Sequence, residues 1–232
     1  MRKIFFLMLV LPTLFLTACS EDAIEGEEYP YGHYEDDKMI GEVMETNKEE
    51  GIIQVDISEW EKRDHKGPDM TDEGYHYSAM INDGTVFAYE DGTEATMDDL
   101  KIDQKILVNP PRGDEFEGIA EEIILLDMTY EEKYWRLLSR SHGFNIMVMY
   151  HPEEYVPPEM GETMFANVMD ILEGTDISAG AGWLPYEEDY IVDFKEELDI
   201  EEFPVILVFD TEKLLFKTYD VEELYAYFEE MK

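Results

Sequence analysis

Two different hydrophobic patterns divide this chain of 232 residues, and they constrain its fold more than any other feature. Up to about residue 127, apolar and polar residues alternate in short segments such as Gly51–Ile57. After that point the apolar residues form nearly continuous runs, as in Phe144–Tyr150. Alternation is typical of strands with one buried face, and continuous runs are typical of strands covered on both faces. The sequence therefore predicts two folded units of different construction.

Residues 38–127 contain five or six short strand patterns and one brief helical turn. Asn82–Gly84 predicts a tight hairpin between two of the strands. Thr96 and Asp99 have the spacing of a reciprocal helix cap. Short strands in this number favour a small closed barrel.

Within that region the order of segments is informative. Asp91-Gly92 is followed by Met97–Val108 and then by a last strand. This order resembles the oligonucleotide/oligosaccharide-binding (OB) barrel, particularly the small OB-like domains of uncharacterised Bacillus-type lipoproteins. The resemblance implies an OB-like β-barrel across residues 38–127. OB barrels commonly bind polyanions, whereas this segment is acidic, so nucleic acid is not expected as a partner.

Residues 128–232 show the pattern of an α/β domain. Its elements, in order, are a helix (Tyr130–Ser141), a strand (Phe144–Tyr150), a helix (Gly161–Leu172), an edge strand (Ile177–Trp183), a helix (Tyr186–Leu198), two hairpin strands (Phe203–Asp210 and Lys213–Tyr219) and a final helix (Val221–Glu230). This order resembles the thioredoxin fold. The combined expectation is an α+β chain with an OB-like barrel before a thioredoxin-like domain.

The resemblance to thioredoxins extends to one proline and fails at the reactive site. Pro204 stands directly before the third strand, where that family has a cis-proline, so Pro204 is a structural cis-proline candidate. The family's Cys-x-x-Cys would follow the first strand, but His151–Pro158 occupies that place. The single cysteine of the chain is Cys19, so thiol–disulfide oxidoreductase activity is not expected.

The loop after the first strand of this domain still carries polar side chains. His151, Glu153 and Glu154 form a candidate binding loop, and an imidazole beside carboxylates is also compatible with acid–base chemistry in a hydrolase. The alternative is an ordinary solvent-exposed loop, which is the more frequent situation for such residues. No catalytic residue is assigned from the sequence.

The N-terminus has the features of a secretory leader. Arg2 and Lys3 precede a short apolar run, which is too short to span a bilayer. The run ends in Leu16-Thr17-Ala18-Cys19, which resembles the signal of bacterial lipoproteins. That family is cut before the cysteine, whose sulfur then carries diacylglycerol. The resemblance implies a signal peptide at residues 1–18, lipidation of Cys19 and an acidic tether at residues 19–37.

Acidic residues far outnumber basic ones. Asp and Glu total 57 against 17 Lys and Arg, which gives a formal net charge of −40, or −42 once Arg2 and Lys3 are removed with the leader. This charge repels nucleic acids and anionic lipids. Because 44% of the residues are hydrophobic, the chain is expected to fold nonetheless. The acidity favours a halophilic or alkaliphilic bacterium, and the alternative is a cation-binding role.

The polar segment between Trp60 and Gly74 contains candidate metal ligands. The available ligand types there and just beyond are histidine and carboxylate: His65, Asp69, Asp72, Glu73 and His76. Their spacing matches no metal motif, so neither a metal nor another cofactor is expected.

The expected function follows from the leader and from the missing thiols. We expect a lipid-anchored protein on the extracytoplasmic face of a Gram-positive membrane, with a non-catalytic binding or scaffolding role. Its partner would be cell-wall material or another protein. Two alternatives stay open: a surface protein that binds divalent cations such as Ca²⁺, and a hydrolase that uses carboxylates or His151.

Overall fold

The computed structural model describes residues 38–63, 73–110 and 116–231, which belong to one compact unit, Glu35–Lys232. The first sheet contains β1 (Met39–Asn47), β2 (Ile52–Asp56), β3 (His76–Met80), β4 (Val86–Tyr89), β5 (Lys105–Val108), β6 (Glu117–Ile119) and β7 (Glu122–Leu125). The second contains β8 (Phe144–Tyr150), β9 (Ala179–Pro185), β10 (Val205–Phe209) and β11 (Leu214–Thr218). The α-helices are α1 (Ser58–Lys62), α2 (Tyr130–Lys133), α3 (Glu162–Ile171), α4 (Phe194–Glu197) and α5 (Val221–Glu229).

The first sheet has the strand order β4-β7-β5-β1-β2-β3-β6. β1 lies at its centre and pairs antiparallel with β2 and β5. Ile53 and Val55 of β2 are buried, whereas the residues between and beside them are partly exposed. The alternation predicted for this region is therefore confirmed, and its inward side chains form one hydrophobic core.

The predicted closed barrel is wrong, because β4 and β6 are the two edges of this open sheet. Each edge strand is joined to another strand of the same sheet by a short turn. β3 and β4 are separated by a turn near Thr85, and β6 and β7 are separated near Ala120. The Thr85 hydroxyl donates to the Ala120 carbonyl at 2.7 Å, which ties the two bends together.

The predicted hairpin at Asn82–Gly84 is also wrong, although the turn itself forms. The Gly84 N–H donates to the Asn82 side chain at 2.8 Å, and the Thr85 N–H donates to the Asn82 carbonyl at 3.0 Å. The flanking strands do not pair with each other. β3 instead lies parallel to β6, and β4 lies parallel to β7. Pairing with distant strands thus decides the topology here over the local turn signal.

The second sheet has the order β11-β10-β8-β9, with β8 and β9 parallel and the other pairs antiparallel. Ile146 and Val148 of β8 face the core formed with α3 and α5. Met147 and Met149 face a second core on the other side of the sheet. The prediction of a strand covered on both faces is therefore confirmed. The fold is mixed α/β with two sheets.

Two predicted helices are much shorter than the sequence pattern indicates. The helix that begins at Tyr130 ends at Lys133, and the helix expected from Tyr186 begins only at Phe194. In the second case the chain pairs with Ile102, which lies before β5 and outside the strands. The Ile102 N–H donates to the Asp189 carbonyl, and the Ile102 carbonyl accepts from the Ile191 N–H. These tertiary hydrogen bonds replace helical ones.

Pro204 lies between the end of α4 and β10. The Phe203–Pro204 peptide bond is cis, the geometry for which this proline was named as a candidate.

Candidate functional site

The loop after β8 holds the side chains that the sequence proposed as a binding loop. His151 is half-buried, whereas Glu153 and Glu154 are exposed. The imidazole Nδ1 accepts from the Glu153 N–H at 3.4 Å, and the His151 carbonyl accepts from the Glu154 N–H at 2.9 Å. Within the described residues, no carboxylate hydrogen-bonds the imidazole. The loop therefore brings the three residues together through its backbone and not as a His–carboxylate pair.

An aromatic ring that the sequence did not single out, that of Phe203, lies near this histidine. The Phe203 ring centroid lies 6.4 Å from that of His151 and 5.0 Å from the stacked ring of Tyr186. The Lys195 ammonium lies 5.8 Å from the centre of the Phe203 ring. Tyr155 is 99% exposed at the tip of the loop. We call His151, Tyr155, Tyr186, Lys195 and Phe203 the loop site.

A carboxylate fixes the base of the loop site. Asp193 accepts hydrogen bonds from the Tyr186 hydroxyl at 2.9 Å and from the N–H groups of Lys195 and Glu196. Burial acts to raise the pKa of Asp193, but these hydrogen bonds outweigh it and hold the pKa below its usual range. Burial, assisted by the bond to Asp193, raises the pKa of Tyr186 to about 12. Tyr186 therefore stays a hydrogen-bond donor near neutral pH.

Asp193 also lines a cavity of about 560 Å³. Its lining combines aromatic, aliphatic and acidic side chains with one cation: Tyr130, Lys133, Tyr134, Ile191, Val192, Asp193, Glu196 and Glu197. Tyr130 and Tyr134 stack with their centroids 4.1 Å apart. Its described lining contains neither histidine nor cysteine.

The two sheets meet at a polar network centred on Asp103. This buried residue has a left-handed backbone, with φ of 63°. Its carboxylate accepts from the Arg136 guanidinium at 2.7 Å and from the Trp135 indole N–H at 3.1 Å. Arg136 also lies 3.5 Å from Glu187 and over the ring of Tyr190. We call these contacts the Asp103 network.

A second group of charges lies beside this network. Lys105 contacts Glu132 at 2.8 Å and Glu42 at 4.0 Å. Burial raises the pKa of Glu42 to about 7, although the charge of Lys105 opposes the shift. The cavity at this point is about 380 Å³ and includes Glu131 and Trp135 in its lining. The carboxyl group of Glu42 can therefore change its charge near neutral pH.

Sequence reasoning missed the Asp103 network because its members are far apart in the chain and belong to no motif. A local helix cap, in contrast, can be predicted because its residues are close in sequence. The reciprocal cap predicted for Thr96 and Asp99 is present, and the Asp99 carboxylate accepts from the Thr96 N–H at 2.8 Å.

Several predicted residues lie outside the described residues. These are Leu16, Thr17, Ala18, Cys19, His65, Asp69 and Asp72. His76 and Glu73 are described and exposed. In the described part of the chain, no group of three or more His, Asp and Glu has the arrangement of a metal site. None of the helices in that part is long and apolar enough to cross a bilayer.

No protein-family description matches the chain. No curated protein is significantly similar to it.

Proposed function

We propose that the protein is a bacterial lipoprotein, anchored through Cys19 on the extracytoplasmic face of a Gram-positive membrane, with a non-catalytic binding or scaffolding role. The sequence Leu16–Cys19, with its basic start and apolar run, supports the anchor. Each methylene of a buried acyl chain contributes roughly 0.8 kcal/mol, so two chains on one sulfur hold a protein durably. The partner is cell-wall material or another protein.

The finer fold assignment is part of this proposal. The second sheet supports a thioredoxin-like domain, because its order, its single parallel pair and its helices α3 and α5 correspond to the core of that fold. The first sheet supports an OB-like domain through the meander β1–β2–β3 and the parallel contacts of β3 with β6 and β4 with β7.

The observation that carries the non-catalytic role is the composition of the loop site. The chain has one cysteine, and it is Cys19, so no thiol follows β8. Thiol–disulfide exchange requires a thiolate nucleophile. In its place the loop presents a half-buried imidazole and the fully exposed ring of Tyr155. Such groups stack and hydrogen-bond, which supports recognition.

The Asp103 network supports the scaffolding part of the proposal. An Arg–carboxylate contact with little exposure holds two elements in a defined arrangement, because separating them leaves an uncompensated charge. Ile102 adds backbone hydrogen bonds to Asp189 and Ile191 across the same contact. The two sheets therefore present their surfaces as one body.

The anchor is tested by metabolic labelling with a palmitate analogue and by membrane fractionation. The wild-type protein should take up the label and sediment with membranes, and Cys19→Ala should lose the label. Ser20→Ala is the matched control and should behave as wild type. A Cys19→Ala protein that carries the same label as wild type would sink the proposal.

The binding role is tested separately, with the purified mature protein. It should not reduce insulin disulfides, and a rate comparable to that of thioredoxin would contradict the proposal. Cross-linking on intact cells should capture a partner, and Tyr155→Ala should lower the yield. Tyr89→Ala, an exposed tyrosine of β4 outside the loop site, is the control.

A further inference from the structure

The strand β9 has an open edge of uncommon composition for this chain. Its seven residues pair with β8 in seven consecutive positions without a register shift, and β9 ends the sheet. Ala179–Pro185 contains no charged residue, although 32% of the chain is charged. Edge strands are usually protected by charges, bulges or prolines in the strand. Here only the terminal Pro185 gives such protection.

The hydrogen bonds to β8 show which backbone groups face the open edge. The Ser178 carbonyl accepts from the Phe144 N–H at 2.9 Å, and the Tyr186 N–H donates to the Tyr150 carbonyl at 2.8 Å. The backbone N–H and C=O groups of the even-numbered residues in this segment therefore point toward β8. Because N–H and C=O groups alternate in direction along a strand, the odd-numbered residues Ala179, Ala181 and Trp183 present theirs to the open edge.

One face of β9 has room for the side chains of an added strand. Ala179 and Ala181 pack on the core shared with α3 and α5, and the Trp183 indole donates to the Met160 carbonyl at 2.8 Å. The opposite face carries Gly180 and Gly182, which have no side chains. The Met147 side chain packs over Gly182, whereas a Cβ at Gly180 would meet nothing closer than 3.8 Å. An added strand lies about 4.8 Å away, so the open space for one of its side chains on this face is beside Gly180.

A cavity of about 280 Å³ opens on that glycine face, at the start of β9. Its lining consists of Trp135, Arg136, Leu138, Ser139, Arg140, Ser141, Phe144, Asn145, Ser178, Ala179 and Gly180. This described lining includes two arginines and no carboxylate, in a chain of net charge −40. Arg136 is bound to Asp103, whereas the Arg140 guanidinium lies 5.2 Å from the centre of the Trp135 ring.

We propose that β9 binds an extended peptide segment of a partner protein as a fifth strand, with an acidic side chain of that segment in the cavity beside Arg140. Backbone hydrogen bonds to Ala179, Ala181 and Trp183 supply the affinity, as in other cases of strand addition. The guanidinium of Arg140 selects the acidic side chain. A second copy of this chain is disfavoured as the occupant, because two molecules of charge −40 repel each other.

This inference rests on the proposed binding role and is independent of the lipid anchor. A negative result in the labelling of Cys19 would therefore leave peptide binding unaffected, and a negative result in peptide binding would leave the anchor unaffected. The test is selection from a random heptapeptide library on the full-length mature protein in detergent, at a salt concentration that screens its net charge. Selected peptides should contain one acidic residue among alternating apolar residues.

Three variants then locate the binding. Ala181→Pro removes one outward N–H and leaves the bonds of Gly180 and Gly182 to β8, so affinity should fall about tenfold or more. Ala181→Ser keeps the N–H and is the matched control. Arg140→Gln should also weaken binding, and replacing the acidic residue of the peptide by its amide should then have no further effect. Arg63→Gln, which lies just after α1 and away from β9 in the chain, should leave the affinity for the peptide unchanged.

Hydrogen exchange provides a readout that does not depend on the variants folding. Peptide binding should slow exchange at the amides of Ala179, Ala181 and Trp183. No enrichment of peptides, enrichment of peptides indifferent to Ala181→Pro, or unchanged exchange at these amides would overturn the proposal. Dimerisation that Ala181→Pro abolishes would also overturn it, because the occupant would then be a second copy.

Discussion

The pKa of Glu42 is changed by the position of this residue at the contact between the two sheets. Its carboxyl group is partly buried, and Asp56, Glu59 and Asp103 add negative charge around it. Lys105, 4.0 Å away, only partly offsets these effects. The result is a pKa of about 7, compared with the usual 4.5. The folded protein therefore holds a proton on Glu42 at pH values where the unfolded chain has released it.

The pH dependence of stability follows from that difference. Because the folded-state pKa is the higher one, the free energy of unfolding falls as pH rises from about 4.5 to about 7. Glu42→Gln cannot ionise and should remove about 1–2 kcal/mol of this fall, allowing for the solvent exposure of the carboxyl group. Urea titrations across the window measure the effect. Glu45→Gln, on an exposed face, should keep the wild-type slope, and an equally steep slope in Glu42→Gln would contradict the assignment.

At the scale of elements, the approach of β8 and β9 depends on a glycine just before β8. Gly143 has φ of 138°, and a Cβ added there would lie 2.3 Å from the Ser178 carbonyl oxygen. That oxygen also accepts the first hydrogen bond between the two segments. The spacing of β8 and β9 at this end is therefore set by the absence of a side chain.

Replacing this glycine should be costly. Gly143→Ala combines a strained backbone with a clash against the main chain, so we expect a loss of about 2–4 kcal/mol in the free energy of unfolding. Gly174→Ala is the matched control, because its φ of 81° is also left-handed but no atom lies within 4 Å of the added Cβ. It should lose only about 1 kcal/mol. Similar losses in both variants would show that the clash is relieved by movement.

The elements differ in how well the sequence predicts them. β8 and the cap at Thr96 are recognisable because their signals are local: a continuous apolar run and a three-residue spacing. The parallel pairing of β3 with β6 is not, because it joins segments about 40 residues apart and no local pattern fixes the choice. The same reason hides the contact of Arg136 with Asp103. The contact of the Phe203 ring with His151 likewise joins segments that are far apart in the chain.

At the scale of the whole molecule, the dominant quantity is charge. A net charge of −40 on a compact protein repels itself, and mobile ions screen that repulsion within about 3 Å at 1 M salt compared with about 30 Å at 0.01 M. The acidity is interpreted either as adaptation to the habitat or as a cation-binding role, and the two interpretations predict different effects of added ions on stability. Adaptation to a salty or alkaline habitat requires only screening, whereas a cation-binding role requires a saturable site.

Thermal unfolding distinguishes them. Raising NaCl from 0.01 M to 1 M should raise the midpoint temperature by about 4–8 °C, if screening relieves about 2 kcal/mol of repulsion. Ca²⁺ added at constant ionic strength should give no further saturable shift, and KCl should act as NaCl does. A saturable stabilisation by Ca²⁺ at high NaCl would favour the cation-binding interpretation.

The central position of β1 has a mechanical consequence for a protein held at its N-terminal side. Anchorage through Cys19 would transmit any pull from the membrane into Met39, the first residue of β1. Because β1 is flanked by β2 and β5, tension along it loads two ladders of hydrogen bonds in shear, so that many bonds must break together. A strand at the sheet edge would instead peel away one bond at a time. In an anchored protein, the first sheet would therefore resist extraction forces that reach Met39.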